Sequence, residues 1–147
     1  MARSRLRKLA LWFGLSLVVV FLLLQLKQPD RTNPPVESAI DAPAEIAAIL
    51  QRSCYDCHSH QTEWPWYSYV APVSWWVGEH VEHARGDLNF SRWPVLDFEE
   101  LEHMFHEIDE QIAKGEMPLK SYLILHPGAR LSDEEKDALR RWAQSNF

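Results

Sequence analysis

Cysteine is scarce in this chain of 147 residues. Both cysteines lie in the stretch SCYDCHSH at 53–60, three positions apart. A disulfide between residues so close together closes a very small loop and constrains little of the unfolded chain. A zinc site built from two C-x-x-C pairs lacks its second pair. The two thiols therefore need another explanation, or ligands from elsewhere in the chain.

The sequence also lacks convincing β-strand patterns, internal repeats and low-complexity tracts. Basic residues are few after Arg31, nine against twenty acidic residues. A domain this acidic is unsuited to nucleic acid, because phosphate contacts need a basic surface. Its charge is compatible with a basic protein partner, and equally with a surface charge that only keeps the domain soluble.

A long hydrophobic run, LALWFGLSLVVVFLLLQL at 9–26, stands near the start of the chain. As an α-helix it covers about 27 Å, close to the hydrocarbon thickness of a bilayer. No small-residue cleavage site follows it, so an uncleaved transmembrane anchor is predicted rather than a signal peptide. The four basic residues within 1–8 predict that this end is cytoplasmic. The remainder would then lie outside the cytoplasm, which is the periplasm if the source is a Gram-negative bacterium.

Proline-rich residues 27–42 are predicted to form a stiff, extended linker. Residues 43–147 are predicted to form an all-α domain. Its four helical patterns run from Pro43 to Ser53, from Pro72 to Gly86, from Asp97 to Gly115, and onward from Ser132. Asp97 and Ser132 are the expected N-caps, each with a glutamate three residues later, and Gly115 is the expected C-cap.

Helical spacing predicts which side chains are buried. On the second helix the expected stripe is Val73, Trp76, Val77, His80, Val81 and Ala84. On the third helix the expected inner face is Phe98, Leu101, Phe105, Ile108 and Ile112. Six of the seven tryptophans follow the linker, several in the long irregular segments 59–71 and 87–96. They indicate either walls around a flat apolar ligand or an ordinary aromatic core.

The stretch SCYDCHSH allows four interpretations: a disulfide, a zinc clip, a redox dithiol or a haem attachment unit. A Cys₂His₂ zinc site would need a second tightly spaced pair, which the histidines at 80/83 and 103/106 offer. A redox dithiol normally starts a helix after a strand, and no strand precedes these cysteines. The spacing C-x-x-C-H matches covalent haem attachment residue for residue. Haem c is therefore the favoured interpretation, with Cys54 and Cys57 as attachment residues and His58 as the proximal iron ligand.

The sixth iron ligand is predicted to be Met117, in the loop sequence KGEMPLK. A thioether on a loop backed by proline can approach iron from the side opposite the histidine. Met104 lies among apolar helix residues and is expected to be a core residue. His80 is the competing ligand, although a lone histidine on an apolar stripe is more often a hydrogen-bonded core residue. His60 is expected on an exposed face.

From about residue 40 to 145, the chain resembles the bacterial haem-binding domain family, small membrane-anchored relatives of cytochrome c. The matching blocks are SCYDCHS (53–59), WPWYSYVAPVSWWV (64–77), LNFSRW (88–93), GEMPLKSYLILHP (115–127) and LSDEEKDALRRWA (131–143). The resemblance implies haem attachment by Cys54 and Cys57, iron binding by His58, and Met117 in the distal position. His60 departs from the asparagine expected after CHS and adds one further candidate ligand.

Together these features predict a cytochrome c-like helical domain around one covalent haem, held at the bacterial inner membrane by a single anchor. The predicted function is one-electron transfer with periplasmic or membrane redox partners, since thioether ligation raises the reduction potential. Such a protein is a carrier rather than an enzyme. The alternatives are a haem enzyme or gas or redox sensor with a labile sixth position, and a structural haem-binding module.

Overall fold

Every regular element in the computed structural model is helical over the residues that it describes, 2–94 and 97–146. The α-helices are α1 Ala2–Leu24, α2 Ala44–Ser53, α3 Tyr55–His58, α4 Val73–Asp87, α5 Phe98–Lys114, α6 Lys120–Leu125 and α7 Asp133–Gln144. Two short 3₁₀-helices are Trp66–Tyr69 and Pro127–Ala129. Within these residues, two extended stretches pair at an isolated β-bridge between Ser38 and Arg92. The predicted all-α fold class is confirmed.

One stretch of α1, Arg5–Leu24, is long and apolar enough to cross a membrane. None of it is buried inside the protein. A signal sequence near an N-terminus has the same length and composition, so the uncleaved anchor remains a prediction.

The contacts divide the chain into two units. Unit 1 joins the residues up to Arg31 with Trp64–His80. Unit 2 joins Thr32–Glu63 with the residues from Val81 onward. The cysteines and both predicted iron ligands, His58 and Met117, belong to unit 2.

The core of unit 2 lies where α5 packs against α7, with α2 beside them. The apolar residues of these helices recur every three or four positions, which places them on one face of each helix. The buried members are Ile46, Ile49, Leu50, Phe90, Trp93, Phe105, Ile108, Ile112, Leu131, Leu139 and Ala143. Met104 packs against this cluster, as expected for a core methionine.

The helix ends follow the capping residues that the sequence predicts. The Asp97 side chain accepts a hydrogen bond from the Glu100 backbone N–H at 3.1 Å. Ser132 and Glu135 form a complete capping box at the start of α7. Gly115 ends α5 in the left-handed conformation, at a φ of 68°, where a side chain would be strained. Asp97 and Gly115 therefore fix the two ends of the helix that precedes Met117.

The predicted stripe of α4 is wrong in its first half. Ser74 and Gly78 are buried there, whereas Val73 and Trp76 are exposed. At Gly78 the reason is the close approach of the Pro29 ring within unit 1: a Cβ on Gly78 would lie 2.5 Å from the Cβ of Pro29. Gly78 faces inward because Pro29 leaves no room for a larger side chain there. The spacing of hydrophobic residues does not reveal such a contact.

Phe98 is a second correction, because it is 82% exposed and does not line the inner face of α5. It is the first residue of α5. Phe105, Ile108 and Ile112 are buried as predicted.

Residues 32–42, here called the strap, pack onto unit 2 along much of their length. The Ile40 N–H donates to the Phe90 carbonyl at 3.2 Å, and the Trp93 N–H donates to the Ser38 carbonyl at 2.9 Å. The side chains of Ile40 and Ala42 pack against the core. This part of the predicted linker therefore belongs to the fold of unit 2.

We expect Leu139→Ala to lower the free energy of unfolding by about 2–5 kcal/mol, because it opens a cavity in a fully buried position. The measurement is the urea midpoint of the full chain in detergent. Leu125→Ala makes the same chemical change at a side chain that is 59% exposed, and it should have little effect. Equal effects of the two substitutions would contradict the packing of α7.

Candidate functional site

Cys54, Cys57 and His58 are brought together on a single turn of the chain. Cys54 ends α2, and its backbone angles, φ −128° and ψ −33°, interrupt the helix before α3 begins. Its carbonyl accepts hydrogen bonds from the N–H groups of Cys57 at 3.1 Å and His58 at 3.0 Å. The two thiols and the imidazole are therefore fixed on one short helical turn.

The His58 ring is oriented by the C-terminal end of α4. Its Nδ1 lies 3.0 Å from the Ala84 carbonyl and 3.1 Å from the Leu88 carbonyl. Both partners can only accept, so Nδ1 must carry the proton and donate it. In the neutral ring Nε2 then keeps its lone pair free for a metal ion.

The charge state of His58 also suits a ligand. Burial lowers the pKa of the His58 imidazole, although hydrogen bonds to the Leu88 and Ala84 backbone act in the opposite direction. The lowered pKa favours the neutral ring, which is the form that binds metal.

Aromatic rings pack beside the turn that carries Cys54, Cys57 and His58. The Phe90 N–H donates to the His58 carbonyl at 2.8 Å. The Phe90 ring stacks on Tyr55 at 5.4 Å and on Trp93 at 5.9 Å between ring centroids. Trp93 then contacts Phe105 in the core. The site is thus tied to the packed centre of unit 2.

Three of the four interpretations of the cysteine stretch find little support in this geometry. The two thiols are not bonded to each other. Burial raises the pKa of Cys54 to about 12 and that of Cys57 to about 11, whereas a reactive dithiol needs a lowered pKa. Among residues 2–94 and 97–146, no three His, Cys, Asp or Glu side chains gather as a metal site. A haem attachment unit fits the donor set best.

Met117 lies on a separate segment, half-buried between the end of α5 and the start of α6. A side-chain hydrogen bond joins the following helix to the cysteine turn: the Tyr122 hydroxyl donates to Asp56 Oδ2 at 2.7 Å. Asp56 stands between the two cysteines, and its Oδ1 accepts from the Glu63 N–H. The chain that carries Met117 is therefore anchored to the cysteine turn through Asp56.

His60 was expected on an exposed face, and this expectation is wrong. The residue is buried, with 7% exposure. Its Nδ1 donates to the Pro35 carbonyl at 2.9 Å, and Nε2 accepts from the Asn89 amide at 3.0 Å. Its backbone N–H donates to Ser91 Oγ. Both ring nitrogens are thereby engaged with protein groups, so His60 holds the strap in place.

Arg85 is a second tether for the strap. Its guanidinium donates to the carbonyls of Thr32 and Ser59, and also to the side chains of Asn33 and Thr62. The strap, α4 and the chain after the cysteine turn are joined through this one side chain.

His80 belongs to unit 1. Its Nδ1 hydrogen-bonds the Trp76 carbonyl at 2.8 Å, and its ring packs on Trp76 with 4.2 Å between centroids. These are the local contacts of a helix histidine, in keeping with the sequence expectation of a hydrogen-bonded residue.

Sequence reasoning missed the partners of His58 and Asp56. The carbonyls of Ala84 and Leu88 have no side-chain signature, so no residue pattern could reveal them. Tyr122 lies within a quoted sequence block, but its contact with Asp56 depends on the fold. Asn89 and Ser91 fall in the block LNFSRW, whose polar positions were the available signal for the His60 network.

Comparison with protein families finds that the model described as haem-binding domain matches residues 18–145 of this chain. Comparisons with curated proteins and with solved structures find no match.

We expect His60→Leu to destabilise the protein by about 1–3 kcal/mol, because it leaves the Pro35 carbonyl and the Asn89 amide without their buried partner. The iron absorption bands of the loaded protein should stay unchanged. Urea midpoints and visible spectra provide both measurements, with His103→Leu on the exposed side of α5 as the matched control. Shifted absorption bands with an unchanged midpoint would make His60 an iron ligand instead.

Proposed function

The chain belongs to the haem-binding domain family and is a haem-binding protein, and from this premise we propose that it is a membrane-anchored, mono-haem c-type cytochrome. Its role would be one-electron transfer with periplasmic or membrane redox partners. The observation that carries the proposal is the ring of His58, held with Nδ1 as donor and Nε2 free, beside two thiols on the same turn.

Cys54 and Cys57 are the proposed attachment residues. Each thiol would add its sulfur and its hydrogen across one vinyl double bond, so that no atom is lost and no oxidant is consumed. The half-buried position of both side chains on a fixed turn supports this assignment. Covalent attachment would make retention of the cofactor independent of folding.

His58 is the proposed proximal ligand, binding iron through Nε2. When bound, haem supplies an iron that takes up or releases one electron. The two carbonyls of Ala84 and Leu88 hold the imidazole in one orientation and increase its basicity as a ligand. The aromatic rings of Tyr55 and Phe90 exclude water from the side of the turn that faces the core.

Met117 is the proposed distal ligand. Support comes from its half-buried place before α6, and from the Tyr122–Asp56 hydrogen bond that ties α6 to the cysteine turn. A thioether opposite an imidazole raises the reduction potential and fills the sixth position. These properties suit a carrier better than a catalyst.

Charge and hydrophobicity support the proposed partners and location. The excess of acidic residues after Arg31 favours a basic or membrane-bound redox partner, because complementary charge speeds encounter. The stretch Arg5–Leu24 is the proposed single span, with its basic start in the cytoplasm and the haem domain on the periplasmic side of a bacterial inner membrane.

Covalent attachment predicts that the cofactor stays with the polypeptide after denaturation. Purified protein should keep its haem when it is unfolded and extracted with acidified organic solvent, as judged by the absorbance of the two phases. The Cys54→Ser, Cys57→Ser double variant should release whatever haem it binds. Loss of haem from the unmutated protein into the solvent would rule out attachment by these thiols.

Distal ligation by Met117 predicts that the ferrous protein resists carbon monoxide. Met117→Ala should bind the gas readily, because the sixth position is then open, and the visible spectrum records the change. Met104→Ala also removes a half-buried methionine and should remain resistant. Rapid binding to the unmutated protein would favour the alternative function of a haem enzyme or gas sensor.

A further inference from the structure

The segment of unit 1 that follows residue 63 is joined to the end of α1 by side chains. Gln25, directly after the last residue of α1, engages both backbone groups of Ala71. Its Oε1 accepts from the Ala71 N–H at 2.9 Å, and its Nε2 donates to the Ala71 carbonyl at 3.2 Å. The Trp75 indole N–H donates to the Lys27 carbonyl. This segment is therefore held beside the end of the apolar helix.

Further contacts pack residues 25–31 against the rest of unit 1. Arg31 donates to the Ser68 carbonyl at 3.0 Å, and its guanidinium lies 4.3 Å from the centroid of the Tyr69 ring. Pro29 packs where Gly78 has no side chain. Unit 1 is thus built around the end of α1.

Four large apolar side chains of this segment are exposed, while its fully buried positions are occupied by small residues. Trp66 is 76% exposed, Tyr69 53%, Val73 44% and Trp76 46%. Trp66 and Tyr69 are three residues apart on the 3₁₀-helix, and Val73 and Trp76 are three apart on α4, so each pair shares one side of its helix. These four exposed side chains are here called the aromatic face. The buried residues of the segment are Ser68, Ala71, Ser74 and Gly78.

This pattern is the reverse of that on a water-facing helix pair, where aromatic side chains are buried and small or polar ones are exposed. Indole and phenol rings suit the level of lipid headgroups, since each has an apolar body and a polar tip. The segment that carries the aromatic face is also held beside the end of the apolar helix, through the bonds of Gln25 to Ala71 and of Trp75 to Lys27.

We propose that the aromatic face of Trp66, Tyr69, Val73 and Trp76 inserts into the headgroup layer of the lipid bilayer, on the side where α1 ends. The inference rests on the proposed function in one respect, that α1 spans the membrane. The protein is then held by a span and, in addition, by an interfacial element that limits how far unit 1 can move from the surface.

Photocrosslinking of the full chain in bacterial membranes tests this. Trp66, Trp76, Leu17 and Phe98 are each replaced in turn by p-benzoylphenylalanine, and lipid adducts are detected by mass spectrometry after illumination. Leu17 reports on the span, and Phe98 is an exposed aromatic residue of unit 2 that serves as the matched control. We expect lipid adducts at positions 66, 76 and 17 and at least tenfold fewer at position 98.

Adducts at position 17 without adducts at 66 and 76 would overturn the interfacial contact and leave the anchor intact. An absence of adducts at position 17 would overturn the anchor, and the inference with it. Equal yields at positions 66, 76 and 98 would also overturn the inference, because they would show general contact with lipid rather than contact by this face.

Discussion

The hydrogen bonds from the His58 imidazole to the carbonyls of Ala84 and Leu88 are the constraint on which the site depends. They set the tautomer and the direction of the ring together, and they use carbonyls that the end of a helix leaves available. The same pair of bonds joins the cysteine turn to α4. A histidine that binds a metal ion needs one ring nitrogen free and the other held by a hydrogen bond. The two bonds at Nδ1 of His58 satisfy both conditions.

Around this contact, segments distant in sequence hold the cysteine turn from several directions. Phe90 and Trp93 connect it to the core formed by α5 and α7. Asp56 connects it to the helix after Met117, and His60 connects it to the strap. The turn itself is only a few residues long, so its rigidity comes from these neighbours rather than from its own helical hydrogen bonds.

The sequence was a good guide where a local rule decides the structure. The caps at Asp97, Ser132 and Gly115 follow from side-chain and backbone chemistry within a few residues, and the structure has them where expected. The sequence was a poor guide where the interacting residue is remote in the chain. The burial of His60 depends on Pro35 and Asn89, and the burial of Gly78 depends on the close approach of Pro29. Neither contact leaves a periodic pattern in the sequence.

The division into two units has a consequence for proteolysis. The chain passes between the units after Arg31, after Glu63 and after His80. A single cut at the first of these crossings would leave unit 2 joined to Trp64–His80, which Gln25, Lys27 and Arg31 still hold by hydrogen bonds. The nicked protein would stay together as two associated fragments. Separation of unit 2 from α1 would therefore require more than one cleavage.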